Sequence, residues 1–207
     1  PLSLKEPQVI YSTKSLEVLA FPLNHKIETY GYMFREKRPQ MNVRKEMLEK
    51  YGFTLAEIGT LKRGEDVLRP AGRDDGADFM SGFVKYSGTD EPLLIKNEDV
   101  AYLPYEPRSY AYCSDTAPFS ELPGWVKGVN LLYHEATYLQ QYEQQARLRY
   151  HSTTVQAAKC ALEAGAGKLV IAHYSSRCRD AMKYQEECRA IFPETYAAND
   201  GDVFEIV

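Results

Sequence analysis

Four histidines, His25, His134, His151 and His173, and the carboxylate of Asp115 are the residues of this sequence whose types and settings suit joint chemistry. His25 follows the apolar run LEVLAFPLN, His134 follows VNLLY, His173 follows KLVIA, and SYAYCSD ends in the same way at Asp115. Side chains at the carboxyl ends of strands that finish together fall on one rim, and layered α/β folds build sites just outside such strand ends. Imidazole nitrogen and carboxylate oxygen are both zinc ligands, and a carboxylate can bridge two ions. No close pair such as His-x-His is present. Each histidine taken singly therefore keeps the plainer reading of a surface or hydrogen-bonded group.

Three local motifs extend the set. In RYHSTTVQAAKCALEAG, His151 precedes a helix start at which Ser152 or Thr153 caps, and first-turn amides that face outward attract phosphate. In IAHYSSRCRD, Ser175, Ser176 and Arg177 offer two hydroxyls and a guanidinium directly after His173, a set that suits a phosphodiester. In LLYHEATYL, Glu135 beside His134 is placed to orient an imidazole and raise its basicity. An ordinary cap, a solvated loop and a surface salt bridge are the respective alternatives.

The elements that must position these groups are legible in outline. QVIYS, LEVLAF and ETYGYMFRE predict a small antiparallel unit. NVRKEMLEKYG predicts a charged helix closed by Gly52, and LAEIGTLKRGEDVLRPAGRDDGADF reads as an arm, rich in Gly and charge with few large apolar residues. Strands resume at PLLIKN, SYAYCSDT and the run that ends at His134. Thr153 with Gln156 predicts a capping box, Val155, Ala158, Ala161 and Leu162 a helical stripe, and Gly165 its stop. KLVIAH predicts a strand, RDAMKYQEECRAIF a helix halted by Pro193, and GDVFEIV a closing strand. Strands mixed with such helices indicate an α/β or α+β layered domain.

Composition excludes several classes. The 207 residues, 44% hydrophobic, suffice for a sizeable core, and a net charge of -4 argues against a uniformly basic nucleic-acid coat. A local basic stretch, REKRPQMNVRKEMLEK, remains able to steer a phosphate backbone. No apolar run approaches the roughly 20 residues of a membrane-spanning helix, so no membrane partner is expected. Cys113, Cys160, Cys178 and Cys188 form no Cys-x-x-Cys pair, which predicts reduced thiols and a cytoplasmic setting.

The segments PLNHKIETYGYMFRE, YCSDT, YHEATY, HSTTVQAA and IAHYSSR, in this order, resemble ribonuclease Z, the tRNA 3′-end processing endonuclease of the metallo-β-lactamase fold. The likeness runs from about Leu16 to the C-terminus. It implies an αββα sandwich over residues 1–40 and 79–207, with an inserted flexible arm at Met41 to Asp78 that grips tRNA. Lys62 and Arg63, in GTLKRGEDV, fall in that arm. By the resemblance, His25, Asp115 and His173 are zinc ligands, Asp115 bridging. His151 is the proton donor to the leaving 3′-oxygen, Glu135 supports it and His134 is structural. Ser175, Ser176 and Arg177 handle substrate phosphate. The implied cofactor is two zinc ions, and the implied partners are precursor tRNA and, in the intact enzyme, a second subunit of a homodimer.

Two departures shape the expectation. Cys178 stands where the family tends to have an aromatic residue, and the family's His-x-His-x-Asp-His, which belongs upstream of His25, does not occur. With no initiator Met, the expected reading is the C-terminal two-thirds or so of a ribonuclease Z, in which three of seven metal ligands remain. Such a chain alone is expected to be inactive, to bind zinc weakly and to self-associate through uncovered sheet surface. The alternatives are a phosphodiesterase of small or cyclic phosphate esters and a non-catalytic RNA-binding module. A Cys113 nucleophile is a third, against which its place inside a strand run argues.

Overall fold

The computed structural model describes residues 4–71, 91–176 and 180–206. The chain divides into two compact units, one formed by Pro1–Lys37 with Pro107–Val207 and the other by Arg38–Glu106. The first unit opens with β1 (Gln8–Ser12), β2 (Leu16–Pro22) and β3 (Tyr30–Glu36). The second holds β4 (Asn42–Val43), α1 (Lys45–Tyr51), α2 (Leu55–Lys62), β5 (Val67–Arg69), β6 (Leu93–Ile95), α3 (Asn97–Val100) and β7 (Ala101–Tyr102). The first unit then resumes with β8 (Ser109–Cys113), α4 (Leu122–Trp125), β9 (Leu131–Glu135), α5 (Glu143–Arg149), α6 (Thr154–Ala164), β10 (Lys168–Ala172), α7 (Ala181–Arg189) and β11 (Thr195–Ala197).

Seven strands make one mixed sheet in the order β1-β2-β3-β8-β9-β10-β11. The β1 to β3 strands and the β3–β8 pair are antiparallel, while β8 to β11 run parallel. Parallel neighbours need crossovers, which α4, then α5 with α6, then α7 supply. One face of the sheet carries Leu19, Phe21, Met33, Ala111, Leu132, Leu169 and Ile171, all packed in a single core with Leu122 and Val126, Ala157, Ala158 and Ala161 of α6, and Cys188 of α7. On the other face Tyr32 and Phe34 are exposed and Tyr112 stacks on Tyr133 at 4.6 Å. Gly31 has a steric reason to be glycine: a Cβ there would lie 2.3 Å from the Phe21 ring, which is fully buried.

Helix α6 begins and ends as its sequence dictates. Thr153 and Gln156 form a reciprocal capping box, and Gly165 stops the helix in the left-handed region at φ 63°. Its inward face differs from the expected stripe: Leu162 is exposed, and the small residues Ala157, Ala158, Ala161 and Ala164 approach the sheet instead. Of the expected strand GDVFEIV, the described residues 201–206 form no strand; the last strand among the described residues is β11, paired parallel to β10. Beyond it Asn199 and Asp202 bond each other across a turn, Gly201 takes φ 93°, and Val203 is 89% exposed, so the segment has no ladder to join.

The second unit is better packed than its charge suggests. Leu61, Val67 and Phe53 meet Ile95 and Val100 in a core of their own, and β5 pairs β6 through Val67↔Ile95. The span Met41 to Asp78 lies within this unit, and its residues 72–78 lie outside the described residues. Local sequence shows few apolar residues there because two of the five buried members of the cluster, Ile95 and Val100, come from the far end of the insert. Arg69, almost buried, makes a bidentate pair with Glu57 at 2.6 and 2.9 Å and donates to the Tyr51 carbonyl. Among the described residues no helix is long and apolar enough to cross a membrane.

Candidate metal and catalytic centre

Four strand ends and one helix approach place the site. His25 follows β2, Asp115 follows β8, Glu135 closes β9 and His173 follows β10, while His151 stands between α5 and α6. Adjacent loops are tied together: the Asn24 amide donates to Thr116 Oγ1, the Ala117 amide to the Asn24 carbonyl, and the Ser152 hydroxyl to the Thr116 carbonyl. Asp115 Oδ2 lies 3.9 Å from His25 Nε2, and its Oδ1 lies 3.3 Å from His173 Nε2. The His151 ring sits between the other two, with centroids 5.1 Å from His25 and 5.3 Å from His173.

Hydrogen bonds fix which nitrogen of each imidazole is free. The Tyr150 carbonyl, which can only accept, lies 2.8 Å from His25 Nδ1, so that nitrogen carries the proton and Nε2 keeps its lone pair. Tyr150 caps α5 in the left-handed region at φ 59°, a conformation unusual for a residue other than glycine, and this turns its carbonyl toward His25. Glu135 is fully buried and accepts from the Thr116 amide at 2.9 Å, from the Thr137 amide at 3.0 Å, from the Thr137 hydroxyl at 2.6 Å and from His151 Nδ1 at 2.7 Å. With its one proton given to Glu135, Thr137 Oγ1 accepts from His173 Nδ1 at 2.8 Å. All three imidazoles therefore donate through Nδ1, directly or through Thr137, and leave Nε2 for other work.

The charge balance follows from these contacts. Burial pushes the Glu135 carboxyl up, but the hydrogen bonds from His151, Thr137 and the Thr116 amide outweigh it and hold the group below the usual carboxylate range. His151 is raised above its ordinary value, chiefly by its hydrogen bond to Glu135, against the opposing effect of its own partial burial.

Two groups of side chains bring their ligand atoms within 4.8 Å of one another, as a metal ion requires: His25, Asp115 and His151, and Glu135, His151 and His173. The donor set fits zinc chemistry, since a carboxylate flanked by Nε2 atoms on either side, each imidazole oriented through its other nitrogen, is the arrangement found around bound zinc. His151 belongs to both groups, so its position lets it act as ligand as well as proton donor.

The remaining expected residues have different settings. His134 is buried within β9 and its Nδ1 donates to the Glu135 carbonyl at 2.7 Å; burial lowers its pKa, and it is outside the cluster. The Ser175 amide donates to the Thr137 carbonyl, Ser176 is exposed, and Arg177 lies outside the described residues, as does Cys178. Lys62 and Arg63 belong to the second unit, where Arg63 forks onto Glu65 at 3.0 Å. Thr153, not Ser152, caps α6, and the first-turn amides expected to face outward are engaged: Thr154 donates to the Tyr138 carbonyl and Gln156 to Thr153. Cys113 is fully buried, and burial pushes its thiol well above the ordinary range, which removes it as a nucleophile. Thr137 and Tyr150 were missed. Thr137 stands two residues after Glu135, a spacing from which a shared hydroxyl was readable; nothing in the sequence marks a backbone carbonyl.

No family model matches the chain. Its sequence is similar to curated proteins named ribonuclease Z. That of Porphyromonas gingivalis strain W83 is 35% identical over 192 residues, covering 93% of this chain and 57% of the relative. That of Bacteroides thetaiotaomicron is 34% identical over 196 residues, covering 95% and 56%. The chain thus spans little more than half the length of these relatives. Among solved structures, the metallo-β-lactamase fold protein YhfI from Bacillus subtilis matches with a TM-score of 0.56 at 14% identity, over 99% of this chain and 54% of that one. Human tRNase Z, short form, matches with a TM-score of 0.53 at 18% identity, over 98% and 48%. Over the length that it spans, the chain is similar in sequence to ribonuclease Z proteins, and its α/β architecture is that of the metallo-β-lactamase fold.

Proposed function

We propose that this chain carries part of the catalytic centre of a zinc-dependent endoribonuclease that hydrolyses a phosphodiester on the 3′ side of precursor tRNA. The observation that supports it most is the arrangement around Asp115, with the Nε2 atoms of His25 and His173 at 3.9 and 3.3 Å on its two oxygens and His151 between the two rings. The name of the relatives points to RNA and that of the human structural neighbour, tRNase Z, to tRNA.

In this reading His25, Asp115 and His173 hold the metal. Bound zinc supplies Lewis acidity toward a phosphoryl oxygen and lowers the pKa of water. His151 delivers a proton from Nε2 to the leaving 3′-oxygen, and Glu135, bonded to its Nδ1, holds the ring in the orientation and tautomer that this needs. Ser175, Ser176 and Arg177 contact substrate phosphate, while Lys62 and Arg63 of the inserted unit meet the RNA away from the cut. The working protein is a cytoplasmic homodimer. Two zinc ions that shared these three donors, with Asp115 between them, would have two protein ligands each, fewer than the three of a catalytic zinc site; the 207-residue chain by itself binds zinc weakly and does not cut.

Precursor tRNA cleavage and zinc content, measured on a protein that contains this sequence, test the reading. His151→Ala should abolish cleavage and retain most of the zinc, whereas Asp115→Asn should lose both. Unchanged cleavage in either variant would refute the assignment, and tight two-zinc occupancy with tRNA cutting by the 207-residue chain would refute its inactivity.

A further inference from the structure

Beside His151 the first unit encloses a cavity of about 310 Å³, the size of a compact small-molecule site. Its wall is made by the immediate neighbours of the cluster residues: Asn24 next to His25, Ala117 two residues after Asp115, and Tyr150 next to His151, with Arg147 and Gln156 completing it. The cavity therefore opens onto the same rim as the four functional side chains.

The polar groups there are unevenly engaged. Glu143 stands one turn before Arg147 on α5, the usual spacing for an ion pair. Its carboxylate instead accepts from the side-chain amides of Gln140 at 2.9 Å and Gln156 at 3.2 Å. The Gln156 oxygen in turn accepts from the Thr153 amide. Among the described residues the Arg147 guanidinium, the Asn24 amide side chain and the Tyr150 hydroxyl have no hydrogen-bond or ion-pair partner. One planar cation, one aromatic ring and one amide thus line a small cavity with their recognition capacity unspent. Unpaired bases are bound in this way, stacked on an aromatic ring or guanidinium plane, hydrogen-bonded at the edge, and paired to a phosphate by Arg.

We infer that this cavity is the subsite for the single ribonucleoside on the 5′ side of the cut, the one that keeps its 3′-oxygen, with Arg147 as a positioning residue and Tyr150 as the stacking surface. The inference rests on the proposed hydrolysis. In that reaction water releases one proton to solvent and adds its oxygen to phosphorus, the P–O3′ bond breaks, and its electron pair stays on O3′, which takes a proton from His151; solvent then reprotonates the imidazole. The nucleoside bearing O3′ must therefore lie against His151, and the cavity is the space that adjoins it. A ribose presented to Glu143 donates hydroxyl hydrogen bonds to a carboxylate already held in place, which favours RNA over DNA.

Titration of the isotope-labelled 207-residue chain with the trinucleotide UpUpA, its all-deoxy counterpart and inorganic phosphate tests the subsite without requiring metal or turnover. UpUpA should shift the side-chain resonances of Arg147, Asn24 and Gln156. Arg147→Ala should weaken binding about tenfold, Arg147→Lys should recover part of the loss, and Tyr150→Ala should weaken it as well while leaving the backbone carbonyl on His25. The deoxy probe should bind more weakly. Equal affinity for inorganic phosphate, or UpUpA binding indifferent to Arg147→Ala, would overturn the subsite. In a protein with cleavage activity, Arg147→Ala should raise KM for RNA more than it lowers kcat, and an equal fall in kcat alone would count against it. If UpUpA binds through Arg147 but a longer protein containing this sequence cuts no RNA, the catalytic reading fails, the assignment to the 5′ side of a cut falls with it, and only a nucleotide-binding cavity remains. If His151→Ala kills cleavage while Arg147→Ala changes neither binding nor KM, the reverse holds.

Discussion

Glu135 Oε1 lies 2.7 Å from His151 Nδ1, and through Thr137 the same carboxylate also reaches His173 Nδ1. One buried anion thus sets the tautomer of two imidazoles on the rim. Glu135 accepts four hydrogen bonds and donates none, so its full ionisation is built into the fold.

Glu135→Gln should show that dependence. Whichever oxygen becomes an NH₂ then faces a backbone amide, that of Thr116 or of Thr137, which cannot accept, leaving buried groups unsatisfied at a cost of roughly 1–3 kcal/mol. Chemical denaturation should report that loss, and precursor cleavage should fall because His151 loses its anchor. Because Glu135 is outside the proposed ligand set of His25, Asp115 and His173, zinc content should survive; lost zinc would move Glu135 into that set.

Thr137→Val keeps the shape and removes the hydroxyl. His173 Nδ1 then has no partner at 2.8 Å, and the ring is free to turn its Nε2 away from Asp115. Losing such an outer partner of a metal-binding histidine typically costs 10–100-fold in affinity. Competition with a zinc chelator should reveal it, and Thr137→Ser should restore most of the loss.

The second unit should be removable as a block. The Glu36 amide donates to the Arg108 carbonyl at 2.9 Å and the two side chains form a forked pair, so the chain leaves and re-enters the first unit at one place. Replacing Arg38–Glu106 by a short Gly/Ser linker should leave the first unit folded by circular dichroism and its amide spectrum. Deleting Met41 to Asp78 alone should do worse, because it strands Ile95 and Val100 without Leu61, Val67 and Phe53. In an active protein, excision should spare a small diester substrate and abolish tRNA processing.

Acid should loosen the second unit by way of Glu57. Burial raises its carboxyl, but the Arg69 fork and the Thr54 amide outweigh burial and hold it below the usual carboxylate range. A carboxyl lowered in the fold contributes stability above its ordinary pKa and loses it as the pH falls through the folded value. Amide exchange in α2 should therefore accelerate as the pH falls below about 4.5. Glu57→Gln should remove that dependence and, by leaving Arg69 buried without its counter-charge, cost roughly 3 kcal/mol.

Gly31→Ala should destabilise the first unit by about 1–3 kcal/mol, the usual cost of overpacking, because the new methyl meets the Phe21 ring. Phe21→Leu in the same chain should recover part of it, a coupling that thermal melts of the double variant would reveal.

What the sequence made legible was what neighbours in the chain decide. Strands β1 to β3 and β8 to β10 announced themselves by apolar runs, and α6 by Thr153, Gln156 and Gly165, whose capping is local chemistry. Helix α5, strand β11 and the core of the second unit did not, because each depends on partners far along the chain: β11 is a strand only against β10, and Val67 is core only against Ile95. At the site, residue types at strand ends suggested the cluster of His25, Asp115 and His173. Of the wiring beneath it, the Thr137 hydroxyl was readable from its place two residues after Glu135, whereas the Tyr150 carbonyl at a helix stop has no signature of type or spacing.

That helix stop separates the histidines by how each would survive genetic drift. His25 is held by a peptide oxygen, which any residue able to turn left-handed at position 150 supplies equally well. His151 and His173 both answer to one carboxylate, so a single codon change at Glu135 disorders both at once, while a change at position 150 spares the acceptor on His25 wherever the new residue keeps the left-handed turn. Mutational tolerance around the rim should accordingly be lopsided, broad on the side of β2 and narrow on the side of β9.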